Sequence, residues 1–306
     1  MIIAIIIVMF NIFLLTFPQI VLTASRDGLM LWFNNVLPTL LPFMIATNML
    51  IALGFADFCS VVLSPVMKKI FRLPGVAGFG LFAGITSGYP MGAKTVADLY
   101  KKGQLTTQEA QHLLAFCNNA GPLFILGVVG VGMFQSAYVG YILWAAHILA
   151  AFAVGIIFRP KKIFQEKIIA KSFSRHKSDS VGKVLGDAVK NSMESITIIG
   201  GLIIFFSVVL AALETFGLPN ENIFGGIAAG LVEVTGGSRR ISSLEPTLFT
   251  LASAAFVIAF GGFSVHAQSF HFTSGTGIKN HKYIFAKFLH GIIAAIFTVT
   301  IFTLFA

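Results

Sequence analysis

Two short polar segments rich in glycine interrupt otherwise apolar sequence, at comparable places in the two halves of the chain. The first is Ser87-Gly88-Tyr89-Pro90-Met91-Gly92-Ala93-Lys94, the second Glu233-Val234-Thr235-Gly236-Gly237-Ser238-Arg239-Arg240. Lipid offers no partner to a free backbone N–H or C=O. Non-helical backbone at membrane depth therefore survives only where protein buries it or where it lines a wet cavity. A matched pair of such breaks is the sequence mark of a transport site between repeats. The expected fold is an all-α polytopic membrane protein that moves a solute.

Composition agrees. The chain is 56% hydrophobic and only 11% charged, against about a quarter charged in soluble domains. Apolar stretches near 2–24, 28–54, 110–135, 137–158, 192–217, 248–272 and 283–305 approach or exceed the roughly 20 residues that span a bilayer. The net charge of +9 would suit nucleic acid, but the basic residues sit between apolar stretches, as in cytoplasmic loops. Nucleic acid is not an expected partner. Cys59 and Cys117 are distant and have no metal or disulfide spacing. Residues Met1 to Thr23 lack the basic start of a signal peptide and read as a retained first helix.

Residues 159–190 carry nine Lys/Arg and no apolar run, the composition of a cytoplasmic linker. The chain divides into an N-terminal transmembrane helix at 1–27, a first repeat at 28–158, this linker, and a second repeat at 191–306. Gly84 aligns with Gly230 and Lys94 with Arg240 at an offset of 146. Ala115-Phe116 aligns with Ala259-Phe260 at 144, and His147 with His290 at 143. The nearly constant offset, in order, argues for an internal repeat.

Charge then orients the repeats. Lys68, Lys69 and Arg72 precede the first break, while Lys94, Lys101 and Lys102 follow it. If residues 75–94 dip into the membrane and return, both clusters stay cytoplasmic. By the same logic residues 224–240 enter from the outside, and the loop with Lys279 and Lys282 is cytoplasmic. Each half then has three spans and one re-entrant hairpin, an inverted-topology pair.

Candidate binding residues follow from polar islands in apolar surroundings. Ser87, Gly88 and Tyr89 form the first tip, and Glu233 and Thr235 lie in the second. Lys94, Arg239 and Arg240 supply cations for an anionic solute; alternatively, the arginines snorkel to the headgroups. Glu233 could pair with either arginine or carry a coupling proton. Asn118 and Asn119, followed by Ala-Gly-Pro122, would unwind a helix and face a cavity, or else bridge neighbouring helices. Ser264, His266 and Gln268 form the matching island in the second half, where His266 could equally be an interhelical hydrogen bond. Enzyme chemistry is not indicated: there is no His-Glu-x-x-His and no phosphate loop, and His266 and His271 point about 140° apart on a helix. No cofactor or metal is called for.

At Ser87-Gly-Tyr-Pro-Met-Gly-Ala-Lys94, Asn118-Asn-Ala-Gly-Pro122 and Gly261-Gly-Phe-Ser-Val-His-Ala-Gln268 the chain resembles the YlbJ/SpoVV-type sporulation integral membrane proteins of the nucleoside-recognition Gate group. The resemblance runs from about residue 28 to 300. It implies a fold similar to concentrative nucleoside transporters, with paired re-entrant hairpins. It also implies movement of dipicolinic acid across the mother-cell-derived outer forespore membrane. The leading expectation is a bacterial multi-pass transporter of a small organic anion, dipicolinate being the favoured example. A nucleoside or base carrier, and a non-transporting scaffold or receptor, are the alternatives. The bilayer and a small anionic or nucleoside-like solute are the expected partners; the coupling ion and a homo-oligomeric state stay open.

Overall fold

The computed structural model describes residues 1–160, 180–219 and 222–305. Most of the expected linker, residues 161–179, lies outside the described residues. Among the described residues all regular structure is helical, with no strand. Among the described residues five helical segments, Pro18–Ala52, Ala137–Ile157, Val181–Thr215, Leu248–Thr273 and Asn280–Phe305, are long and apolar enough to cross a membrane.

The first two expected spans are divided differently from the reading at 2–24 and 28–54. Helix α1 covers Ile2–Thr16 and stops at Phe17. Helix α2 then runs unbroken over Pro18–Ala52. The break falls before Pro18 because proline has no N–H to donate and disfavours helical backbone in its predecessor. Arg26 and Asp27, between the two expected spans, are helical. A π-helical turn at Trp32–Val36 sits within α2, just ahead of Pro38.

After short helical connectors comes a hairpin of α3, Ala77–Thr86, and α4, Met91–Lys101. Helix α5, Thr107–Cys117, opens with a capping box in which Thr106 and Glu109 satisfy each other's backbone N–H. The expected span at 110–135 is interrupted at residues 118–122, beyond which the π-helical α6 covers Leu123–Met133. Pro122 and the carboxamides before it end the first helix as their chemistry requires. Helix α7, Ala137–Ile157, completes this half.

The second half repeats the order. Helix α8, Val181–Thr215, is 35 residues long, as α2 is. The hairpin of α9, Ile223–Val232, and α10, Val234–Ser242, follows. Helices α11, Leu248–Phe260, and α12, Gly262–Thr273, are divided at Gly261, whose φ of +89° favours glycine. Helix α13 covers Asn280–Phe305. Helices α3 and α9 differ by the same offset of 146 that aligned Gly84 with Gly230.

Helices α2 and α8 pack along each other, and α7, α11 and α13 form a second group. Trp32 Nε1 donates to the Ile196 carbonyl across the first pair at 3.1 Å. Apolar burial does not drive helix association in lipid, so close packing at small residues takes that role. Gly84 lies against the Cys117 carbonyl, and Gly237 against Gly230.

One end of the molecule collects the basic loops. Arg72 donates to the Pro160 carbonyl at 2.9 Å. The Lys279 amide donates to Gln111 Oε1 at 2.6 Å, and His112 Nε2 lies 2.7 Å from the Gly155 carbonyl. Lys101 and Lys102 share a cleft with Val184 and Asp187, at the start of α8.

Candidate functional site

Each hairpin tip docks on the helix break that follows it in sequence. In the first tip Gly88 has φ +81°, and a Cβ there would sit 2.5 Å from the Gly121 nitrogen. The Tyr89 amide donates to the Asn119 carbonyl at 2.5 Å, which satisfies one carbonyl that the unwound segment leaves free. Ser87 Oγ lies 3.0 Å from Thr47 Oγ1 of α2.

In the second tip a single extended residue, Glu233, joins α9 to α10. Its carboxylate accepts from the amides of Thr235 at 3.0 Å and Gly236 at 2.6 Å, capping α10. A Cβ on Gly262 would stand 2.7 Å from the Gly230 carbonyl oxygen. The two tips adjoin, with Tyr89 packed against the cluster that holds Val234.

A cavity of about 70 Å³ lies at this junction. Ser87 and Tyr89 of the first tip, Glu233 and Thr235 of the second, and Ser264 and Gln268 of α12 line it. Asn35 and Thr39 of α2 close one side, and Ile199 and Ile203 of α8 another. The Tyr89 hydroxyl is buried without a protein partner among the described residues. It is a donor available to whatever enters.

Other candidates stand beside the cavity rather than in it. Asn118 is fully buried: its Oδ1 accepts from the Ala93 amide at 3.2 Å, and its Nδ2 donates to Ser269 Oγ at 2.9 Å and Tyr283 Oη at 2.6 Å. It braces α4, α12 and α13. Asn119 Nδ2 donates to the Phe116 carbonyl at 2.9 Å. His266 is enclosed by aromatic rings, with those of Phe260 and Tyr283 edge-on at 4.6 and 5.3 Å.

The expected cationic pair does not form. Lys94 lies in the cleft with Asp98 and Glu194 and donates to Asn48 Oδ1 at 3.3 Å. Arg240 pairs with Glu214, not with Glu233. Glu194 and Glu214 stand about 30 Å apart along α8 at 1.5 Å per residue. Lys94 and Arg240 therefore belong to opposite ends of the molecule, and neither lines the central cavity. Glu233 caps α10 instead. Arg239 is exposed and lines the clefts on the Arg240 side.

The walls between the cavity and these two ends differ. Toward Arg239 the cavity shares Leu31, Glu233, Leu123 and Val128 with the adjoining clefts. Toward Lys94 it shares no residue with the cleft. Buried Met44, Met91 and Ile196 cluster on that side, and Asn48 Nδ2 donates to Ser192 Oγ at 2.8 Å.

The Arg240–Glu214 pair is partly exposed, at 22% and 27%, so screening limits its worth. Arg240→Gln and Glu214→Gln are each expected to lower stability by no more than about 1 kcal/mol. A double-mutant cycle by thermal melting should give a coupling of about 0.2–1 kcal/mol. A coupling of zero would mean that the pair adds nothing to stability.

Sequence reasoning passed over Lys287. It is buried on α13, with Nζ 2.9 Å from the Asn118 carbonyl and 2.7 Å from His290 Nδ1. Its position inside the expected span at 283–305 was the available signal, since a lysine at membrane depth is costly.

Residues 33–137 match the Gate family, described as nucleoside recognition. The chain is 37% identical over 315 residues to the sporulation integral membrane protein YlbJ of Bacillus subtilis (strain 168). The match covers 92% of this chain and 77% of that protein. No solved structure matches the chain.

Proposed function

The chain belongs to the YlbJ family of sporulation integral membrane proteins, and from that premise we propose that it is a transporter of a small planar organic anion, with dipicolinate the favoured solute. The observation that carries this reading is the cavity where two hairpin tips and two helix breaks meet. In repeat-built transporters such a junction is where the solute sits.

The recurring order of α2–α7 and α8–α13 supports an inverted pair of repeats, each with one re-entrant hairpin, as in concentrative nucleoside transporters. So does the attachment of the two hairpins near opposite ends of α8, through the Lys94 cleft and the Arg240–Glu214 pair. The collected basic loops favour a cytoplasmic location for the Lys94 end. The sporulation role of the family favours the outer forespore membrane as the site of action.

An anion finds support in helix ends. First turns of α6, α10 and α12 line the cavity, against two helix C-termini, that of α3 at Thr86 and Ser87 and that of α9 at Glu233. Helix N-termini carry partial positive charge. Glu233 takes that of α10, leaving α6 and α12 together with the Tyr89, Ser264 and Gln268 side chains. Lys94 and Arg239 stand at the two mouths, where cations raise the local concentration of an anion. At about 70 Å³ the cavity has room for only a few waters. Admission of a ring therefore requires the hairpins to part from α2 and α8.

Purified protein in liposomes tests the reading through uptake of dipicolinate and of uridine. Dipicolinate flux that excess uridine does not inhibit is the expected result. Uridine flux without dipicolinate flux would select a nucleoside carrier, a reading favoured by Glu233 being the one carboxylate among the cavity-lining residues. No flux of either would leave a scaffold or receptor. Gln268→Ala should cut dipicolinate flux about tenfold or more, the value of one hydrogen bond to a charged group, with a near wild-type melting temperature. A parallel fall in melting temperature would make Gln268 structural.

A further inference from the structure

The unwound segment at 118–122 leaves main-chain groups that a continuous helix would have paired, and ionisable side chains satisfy them. The Asn118 carbonyl accepts from Lys287 Nζ at 2.9 Å, and the Ala120 amide donates to His147 Nε2 at 3.1 Å. Lys287 Nζ lies 2.7 Å from His290 Nδ1, and His290 Nε2 lies 2.9 Å from the His147 carbonyl. The two imidazole rings are 4.6 Å apart. All three side chains are at most 1% exposed.

The tautomers follow from the partners. His290 Nε2 faces a carbonyl and donates, so its Nδ1 accepts from Lys287. His147 Nε2 accepts from an amide, so it carries no proton. Its Nδ1 is buried without a partner among the described residues.

Among the described residues, the groups around Lys287 include no carboxylate. Cys117 of α5, His266 of α12 and Tyr283 of α13 stand nearby, with His147 contributed by α7. Helix α11, which packs closely on α13, contains no ionisable side chain. Apolar side chains would fill this space at lower cost than an amine and two imidazoles. The three have another use.

A proton on His147 Nε2 would occupy the lone pair that now accepts the Ala120 amide. The two states exclude each other, and the segment concerned continues into Gly121, Leu123 and Phe124, which wall the cavity. We propose that Lys287, His290 and His147 bind the proton that drives the transport cycle, its arrival releasing the Ala120 amide and rearranging the cavity wall. One proton is taken from water at one mouth and given to water at the other, and no other bond changes. The inference rests on the transport reading above.

Two measurements on the full-length protein in lipid test it. The first is hydrogen exchange of the 118–124 segment, corrected for intrinsic rates, in nanodiscs without solute. On progressive acidification from neutral pH its protection should fall about tenfold, the worth of one amide hydrogen bond. His147→Gln should abolish that dependence. Flat protection in the wild type overturns the proton site, whether or not any solute moves.

The second is uptake of dipicolinate driven by an imposed pH gradient, alongside solute exchange with no gradient. Lys287→Gln and His290→Gln should keep exchange and lose gradient-driven accumulation. Wild-type accumulation indifferent to the gradient and to a protonophore overturns the coupling. Absence of both dipicolinate and uridine flux, with pH-dependent protection intact, overturns the transport reading and with it the coupling. Because the wild type alone decides each arm, a variant that fails to fold does not shield the proposal.

Discussion

Gly84→Ala and Gly237→Ala should each deprive the protein of a stable fold. A Cβ on Gly84 would overlap the Cys117 carbonyl where α3 crosses α5, and one on Gly237 would overlap Gly230 where α10 crosses α9. In both places the obstacle is backbone, so no side chain can rotate away. Overpacking commonly costs about 1–3 kcal/mol and more where relief is absent, from a total stability of about 5–15 kcal/mol. These crossings also supply the van der Waals contact that holds helices together in lipid. The expected result is loss of the monodisperse peak in detergent chromatography, while Gly127→Ala and Gly201→Ala, which meet nothing within 4 Å, behave as the wild type. A wild-type melt for Gly84→Ala would mean that α3 and α5 do not approach this closely.

Asn118→Leu should be the most damaging polar substitution. It strands the buried Ala93 amide and removes partners of Ser269 and Tyr283. Interhelical hydrogen bonds in membranes average only about 0.6 kcal/mol, so three losses alone would cost roughly 2 kcal/mol. A stranded amide adds about 1–3 kcal/mol, giving about 3–5 kcal/mol altogether. Asn119→Ala should cost under about 1 kcal/mol, because its side chain makes one local bond to Phe116 and its main-chain contact with Tyr89 survives. Thermal melts of the two variants decide this. Equal losses would mean that the carboxamides share one role.

The asparagines mark where sequence stops informing. The Asn-Asn-Ala-Gly-Pro stretch announced a helix break because composition and φ preference act locally, and the break falls there. The paired short helices near 75–94 and 224–240 were legible for the same reason, though the first pair runs on to Lys101. Which of two adjacent carboxamides braces three helices depends on their approach in space, and no local pattern encodes that. Arg240 illustrates the same limit. Glu233 was its near neighbour in sequence, yet its partner is Glu214, brought close by the end of α8. Lys287 was obscured differently, since Lys279 and Lys282 drew attention to the loop just before it.

The unequal walls of the central cavity have an electrical consequence. A membrane voltage falls mainly across unhydrated layers, and the buried Met44, Met91 and Ile196 cluster on the Lys94 side is one such layer. On the other side the cavity and the Arg239 clefts share wall residues, so little potential separates them. A charged solute would reach the cavity from the Arg239 side almost free of the field. It would then meet most of the field in passing Met91, at roughly 2.3 kcal/mol per elementary charge per 100 mV. For the proposed transport of a charged solute, the voltage-sensitive step would be the passage between the cavity and the Lys94 end, and the opposite step would be nearly voltage-silent.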